Sequence, residues 1–186
     1  RGTRLCDLAV EQITYLLHCF GELDQMADVI LVDTGAGIAN HVLEFVLASP
    51  EVLVVTTPEP TSLTDSYSLL KSLYRNPKFN REYTKISVLS NRVISAAEGR
   101  GVYDKLNTVV GQFLEGEITY AGMIPQDSAL EKAIRMQKPV SLQAPLSKSA
   151  RAFEVVAAEL LQGESSDAYR SFGLSRLFSG FWKQKN

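Results

Sequence analysis

Hydrophobic residues along this chain follow two alternating patterns, short continuous runs and helically spaced stripes. The continuous runs predict four buried strands, over residues 28–33, 52–56, 86–91 and 118–124. Stripes at i, i+3 and i+4 spacing predict helices, near residues 4–20, 40–48, 62–74, 97–115, 128–136 and 147–161. The alternation of strands and helices predicts an α/β fold, a parallel sheet flanked by helices.

Length and composition indicate one folded domain. The chain has 186 residues, 45% of them hydrophobic, enough to bury one substantial core. Its net charge of −2 gives no sign of nucleic-acid binding. Cys6 and Cys19 read as buried free thiols in a reducing compartment. Because the sequence opens on Arg1-Gly-Thr-Arg-Leu, without an initiator methionine, we expect a fragment of a longer protein.

Polar residues follow three of the predicted strands, where ligands bind in α/β proteins. They are Asp33, Asn91 and the segment 125–127. A carboxylate at Asp33 suits Mg²⁺, which prefers hard oxygen ligands. The nearby Gly37 allows a sharp turn that brings a backbone N–H close to a terminal phosphate. The pattern leaves a second interpretation equally open, in which Asp33 only caps the next helix.

These residues lie in an order that resembles the MinD/ParA ATPases, and within them the FlhG branch of flagellar-number regulators. The resemblance covers roughly residues 5–161. It rests on four stretches, Asp33-Thr-Gly-Ala-Gly37, Thr56-Thr-Pro-Glu-Pro-Thr-Ser-Leu-Thr-Asp65, Asn91-Arg92-Val93 and Gly122-Met-Ile-Pro-Gln-Asp127. It implies a P-loop NTPase fold that binds ATP and Mg²⁺.

The resemblance also implies roles for individual residues. Asp33 matches the Walker B aspartate that orders Mg²⁺, and Gly37 matches the switch II glycine facing the γ-phosphate. Asn91 matches the asparagine that hydrogen-bonds the adenine edge, with Arg92 beside the base or ribose, or else an ordinary surface arginine. Pro125 and Asp127 match the loop packed beside the base, and residues 56–65 match the dimer face.

One expected motif is missing from the sequence. No G-x-x-x-x-G-K-[ST] loop occurs, and the family's deviant Walker A loop and switch I precede the motifs above by about a hundred residues. Without that loop and its lysines, we expect the polypeptide alone neither to bind ATP tightly nor to hydrolyse it. A missing central strand would also leave an open apolar sheet edge.

The C-terminal residues form a separate segment. A polar linker over 162–168 precedes a predicted amphipathic helix over 169–186, so the domain proper is expected over 1–161. A basic, aromatic-rich helix suits an anionic membrane surface, although it could instead dock in a groove of its own domain or of a partner. Its apolar stripe comprises Leu174, Leu177, Phe178, Phe181 and Trp182.

The resemblance therefore predicts an ATP-dependent homodimer, cytoplasmic and peripherally bound to the membrane, that controls flagellar number or placement. The GTPase FlhF and flagellar basal-body proteins are the partners it implies. Two alternatives remain open. One is a ParA-type partitioning ATPase acting on DNA, for which the basic residues Lys71, Arg75, Lys78 and Arg81 offer limited support. The other is a non-catalytic interaction module without a phosphate loop.

Overall fold

A computed structural model describes residues 26–162, which fall into two compact units, 26–50 and 51–162. The predicted helix over 4–20, the rest of the linker beyond Gln162 and the predicted tail helix over 169–186 lie outside the described residues. The domain boundaries therefore stay predictions. None of the helices in the described part of the chain is both long and apolar enough to cross a membrane.

The first unit corrects one predicted strand. Residues 28–33 do not form a strand, and Leu31 is 87% exposed. Strand conformation depends mainly on pairing and on packing against neighbours, and no described strand pairs with this segment. Helix α1, Asn40–Ala48, follows as predicted and buries Val42 and Val46.

The second unit contains a parallel three-stranded sheet, as the other hydrophobic runs predict. Strands β1 (Glu51–Thr56), β2 (Lys85–Val93) and β3 (Thr119–Pro125) lie in the order β1-β2-β3. All β2 residues from 86 to 90 are buried, because this strand is paired on both edges and covered on both faces. In the described part of the chain, β1 is paired along one edge only.

Two long helices cover one face of the sheet. Helix α2, Pro60–Tyr74, contacts β1, and helix α3, Ala96–Leu114, contacts β2, β3 and α2. Helix α2 begins at its proline, two residues before the predicted start, because proline favours the first turn of a helix. Helix α3 begins after Ser95, whose hydroxyl accepts from the Glu98 N–H, while the Glu98 carboxylate accepts from Ile94 N–H.

Helix α6, Lys148–Gln162, packs on β3 at the other face. Neighbouring residues on a strand point to opposite faces. Met123 lies against Gly99 of α3, whereas Ile124 packs with Leu89 and Val156 of α6. Helices therefore cover both faces of β2 and β3, whereas Val55 of β1 is 53% exposed.

Two short helices complete the unit. Helix α4, Ser128–Arg135, matches its prediction, and helix α5, Val140–Gln143, was not predicted. Together with the start of α6 they enclose a small core of Ala133, Val140 and Ala150. This small three-helix cluster lies directly after the carboxyl end of β3.

Candidate functional site

A concave pocket of about 420 Å³ lies at the carboxyl ends of β2 and β3. This is the edge of a parallel sheet where α/β proteins bind ligands, and the volume falls in the usual range for small-molecule sites. The pocket is lined by residues of both strand ends and of helix α4: Asn91, Arg92, Pro125, Gln126, Asp127, Leu130, Glu131, Ile134 and Arg135. The structure therefore brings together all four residues predicted to contact the base, Asn91, Arg92, Pro125 and Asp127.

An irregularity in the β2–β3 ladder shapes the mouth of this pocket. Asn91 is in register with Ile124 and Val93 with Pro125, so Arg92 is an extra residue with no partner on β3. Its φ of 57° lies in the left-handed region, which a non-glycine residue adopts only when its surroundings hold it there. The Asn91 side chain supports this conformation, because its Oδ1 accepts a 2.9 Å hydrogen bond from the Arg92 N–H. Arg92 is exposed at the rim of the pocket.

Asn91 keeps hydrogen-bonding capacity for a ligand. A carbonyl oxygen accepts two hydrogen bonds, and the Arg92 N–H uses one of them. The second lone pair of Oδ1 and the two Nδ2 hydrogens are therefore available to a ligand that carries a hydrogen-bond donor beside an acceptor. Such an amide matches the edge of adenine, which offers an amino donor beside a ring-nitrogen acceptor.

Asp127 has a structural role in this arrangement. Its Oδ1 accepts from the Ala129 N–H at 2.9 Å, which caps helix α4. Its Oδ2 accepts from both the backbone N–H and the hydroxyl of Ser149, at 3.0 and 2.9 Å. These bonds, the Ser149 backbone bond first, lower the pKa of Asp127 below its ordinary 3.8. The carboxylate therefore fixes the starts of helices α4 and α6 beside the pocket.

The loop after β1 reaches the same edge of the sheet. Ser62 holds it, because its hydroxyl accepts from the Thr57 N–H at 3.0 Å and lies 3.1 Å from the Thr56 hydroxyl. A hydrogen bond with the Thr57 side chain, and to a smaller extent the charge of Arg92, lowers the pKa of Glu59. The loop that Ser62 holds therefore carries a carboxylate at this edge of the sheet.

Helix α4 contributes pocket residues that the strand-end analysis missed. Leu130 and Ile134, like Glu131 and Arg135, are spaced four residues apart, so both pairs lie along one side of the helix. Leu130 and Ile134 give the pocket an apolar wall. The sequence did contain a signal for these pocket residues. A helix that begins at Asp127, directly after a strand, must have some of its side chains on the same side as the strand end.

Asp33 and Gly37 belong to the other unit, and their predicted roles stay predictions. Gly37 has a φ of 103°, a conformation that favours glycine, in agreement with the expected sharp turn. Asp33 is exposed and lies in a segment without a strand, so the prediction that it ends a strand over 28–33 is wrong. It does not cap helix α1 either, since Ala39 holds that position. Among residues 26–162, no three His, Cys, Asp or Glu residues are grouped to hold a metal ion.

Comparison with known proteins identifies the family. The antiactivator FleN of Pseudomonas aeruginosa is 40% identical over 160 residues, which are 86% of this chain and 56% of FleN. The flagellum site-determining protein YlxH of Helicobacter pylori is 32% identical over 135 residues, 72% of this chain and 44% of YlxH. The chain belongs to the MinD/ParA family. It is of the FlhG type, as the resemblance in its motifs predicts.

Solved structures support the same fold. The septum site-determining protein MinD of Pyrococcus horikoshii, complexed with Mg-ADP, matches with a TM-score of 0.59 at 22% identity, over 86% of this chain and 64% of that one. The predicted P-loop NTPase fold is thereby confirmed. A scan against protein-family models finds no match. The chain spans about half the length of the curated relatives it matches.

Proposed function

We propose that the protein containing this chain is an FlhG-type ATPase that controls the number or position of flagella. The observation that carries the proposal is the pocket at the ends of β2 and β3, with Asn91 in its lining. Its relatives supply the biological process, since one is an antiactivator and another a flagellum site-determining protein. A MinD structure that binds Mg-ADP supports nucleotide and Mg²⁺ as the ligands.

In this proposal the pocket of the second unit binds adenine. Asn91 hydrogen-bonds the base edge, while Leu130, Ile134 and Pro125 contact its apolar faces. Arg92, held at the rim by its backbone conformation, stacks its guanidinium on the base or contacts the ribose. Asp127 acts indirectly, by fixing helix α4 beside the base.

The phosphate chemistry is assigned to Asp33 and Gly37 of the first unit. Asp33 orders Mg²⁺ through oxygen ligation, and Gly37 donates its N–H to the terminal phosphate. Loss of that phosphate on hydrolysis would release the Gly37 loop, which gives a switch between two states. The Walker A lysines needed for hydrolysis do not occur in these 186 residues. The proposal therefore concerns the whole protein.

Dimerisation, membrane contact and partners complete the proposal. Residues 56–65 would line the face of an ATP-dependent homodimer, and the tail helix with Phe181 and Trp182 would bind the anionic inner leaflet reversibly. FlhF is the proposed partner that stimulates hydrolysis. A DNA-binding role is less well supported, because Arg81 of the basic patch donates to the Glu115 carbonyl at 2.8 Å and lies 5.1 Å from the Tyr74 ring centre. That arginine is occupied in holding the end of helix α3.

Calorimetric titration of the full-length protein with Mg-ATP tests the base pocket. Asn91→Ala should weaken ATP binding about tenfold, the effect of removing one or two hydrogen bonds to a ligand. Asn107→Ala, on the exposed side of helix α3, is the matched control and should bind ATP like the parent. Equal ATP affinities for the Asn91 variant and the parent would contradict the assignment of this pocket.

Sedimentation of the full-length protein tests the magnesium assignment. Asp33→Ala should abolish Mg²⁺- and ATP-dependent dimerisation, because the metal would lose its protein-held oxygen ligand. Asp28→Ala, five residues earlier and also exposed, should dimerise normally. An unchanged dimer in the Asp33 variant would count against the nucleotide switch. Co-sedimentation with liposomes and with DNA then distinguishes the two candidate functions, because a flagellar ATPase with this tail should bind liposomes and a partitioning ATPase should bind DNA.

A further inference from the structure

The stretch from the middle of helix α4 to the start of helix α6 combines positive charge with exposed aliphatic side chains. From Lys132 to Phe153 the sequence contains five lysines and arginines and no aspartate or glutamate, although the whole chain has a net charge of −2. Within it, Leu142 and Leu146 are each 79% exposed. We use the name basic lobe for five exposed residues of the folded stretch 138–151, namely Lys138, Leu142, Leu146, Lys148 and Arg151.

The backbone of the basic lobe is held in place from inside. Val140 and Ala150 belong to the small core with Ala133, and Ala144 packs against it. The Ala144 N–H donates to the Val140 carbonyl at 2.8 Å, and the buried Ser149 is bound by Asp127. Because Val140 and Ala144 face inward, the intervening Leu142 and the following Leu146 are presented to solvent on a fixed support.

Two of the charges in the basic lobe, those of Lys148 and Arg151, lie at a helix start, where positive charge is unfavourable. Lys148 and Arg151 lie in the first turn of helix α6, which has no acidic residue there. The positive end of a helix dipole disfavours cations at this position. Lys138, Lys148 and Arg151 take part in none of the salt bridges found among residues 26–162. The Asp127 carboxylate, which accepts from the N–H and hydroxyl of Ser149, offsets part of this cost at Lys148. Lys138, Lys148 and Arg151 are all exposed, so their charges are accessible to a ligand at the surface.

We infer that the basic lobe is a second membrane contact, one that binds the surface of an anionic bilayer. Lysine and arginine side chains are attracted to anionic headgroups, and Leu142 and Leu146 can enter the interface beside them. The two leucines favour lipid over nucleic acid, which is bound mainly through charge and aromatic stacking. The inference rests on the proposed membrane association. It adds a specific surface of the folded domain to the predicted tail helix.

A second contact would change how the membrane is bound. One amphipathic or lipid anchor gives weak and reversible binding, whereas stable attachment takes two signals acting together. The basic lobe and the tail belong to the same chain, so binding of one raises the effective concentration of the other at the surface. Membrane residence would then depend on both contacts being presented to the same surface.

Vesicle flotation of the full-length protein tests the inference. The vesicles contain phosphatidylcholine with about 30% phosphatidylglycerol, or phosphatidylcholine alone. Lys148→Gln combined with Arg151→Gln should lower partitioning onto anionic vesicles about twenty-fivefold, since each cation near such a surface is worth about fivefold. Leu142→Ser combined with Leu146→Ser should lower it as well. The matched control, Arg75→Gln with Lys105→Gln, removes two exposed cations elsewhere and should stay within twofold of the parent.

Each other outcome has a defined meaning. Partitioning of both lobe variants within twofold of the parent, or an equal loss in the control, overturns the inference. Loss of retention by duplex DNA in the Lys148/Arg151 variant, with vesicle binding intact, also overturns it and assigns the surface to nucleic acid. A tail variant, Phe181→Asp with Trp182→Asp, separates the two proposals. If that variant loses vesicle binding while the lobe variants do not, the proposed membrane association stands and the basic lobe fails alone.

Discussion

At the scale of single residues, the candidate site is formed by side chains that lie at or follow the ends of two neighbouring strands. Strand ends predict that Asn91 and residues 125–127 share one edge, and the family resemblance adds Arg92. Asn91, Arg92, Pro125 and Asp127 do line one pocket, while their roles towards a ligand stay predictions. Sequence could not show that the Asp127 carboxylate is already bound to Ala129 and Ser149, because Ser149 lies 22 residues away along the chain. Nor could it show the left-handed backbone of Arg92, which arises from an irregular strand pairing.

The bonds of Asp127 lead to a stability prediction. Asp127→Ala removes the acceptor of three hydrogen bonds, so the free energy of unfolding should fall by about 1–2 kcal/mol, as for loss of a helix cap. Asp127→Asn should fall between parent and alanine variant, since an amide keeps only one oxygen acceptor. Urea unfolding measures both. Asp65→Asn, exposed on helix α2, is the control and should leave the free energy unchanged.

The same carboxylate makes part of the stability depend on pH. Its pKa is lower in the folded protein than the ordinary 3.8, so the folded state binds a proton less readily than the unfolded state. The contribution of Asp127 is therefore fully present above pH 3.8 and is lost as the pH falls through the lowered folded value. The difference between parent and Asp127→Ala in urea unfolding should shrink below pH 3.8. A constant difference down to the lowest accessible pH would contradict this role.

At the scale of elements, a hydrophobic run predicts a strand correctly where a neighbouring strand pairs with it. Strands β1, β2 and β3 match their hydrophobic runs within two residues, because each is paired and covered by helices. The run over 28–33 has the same composition but no paired strand in the described chain, so the same reasoning was wrong there. Helix α5 was missed for another reason. Its four residues lie between Pro139 and Pro145, too few to show a helical period.

The contact of helix α3 with β3 gives a test at this scale. A methyl group at Gly99 would lie 2.9 Å from Tyr120 Oη and 3.1 Å from Met123 Cβ. Gly99→Ala should therefore lower the free energy of unfolding by about 1–3 kcal/mol through overpacking, despite the better helix propensity of alanine. Gly111→Ala, in the same helix with nothing within 4 Å, should raise it by about 0.5–1 kcal/mol. Urea unfolding of the pair decides whether this close approach exists in solution.

At the scale of the whole molecule, the two units differ in how their backbone is protected. Strand β2 is paired on both edges and buried over residues 86–90, whereas residues 31–38 are all exposed and form no strand. The sequence predicts one domain over 1–161, and that prediction stays open. Hydrophobic runs report the capacity of a segment to be buried and not the partner that buries it. Hydrophobic runs are buried in the unit over 51–162, whereas the hydrophobic residues within 31–38 are exposed.

Hydrogen exchange measured along the chain tests this difference. In the 186-residue polypeptide, amides of β2 should exchange at least about a thousandfold more slowly than those of residues 31–38, since core strands open only with large parts of the fold. Strand β1, paired on one edge within the described residues, should fall between them. In the full-length protein with Mg-ATP, the region around Asp33 and Gly37 should gain protection, because the proposed metal and phosphate contacts would hold it. Exchange over residues 28–33 as slow as that of β2 in the 186-residue polypeptide would show that the predicted strand forms without those contacts.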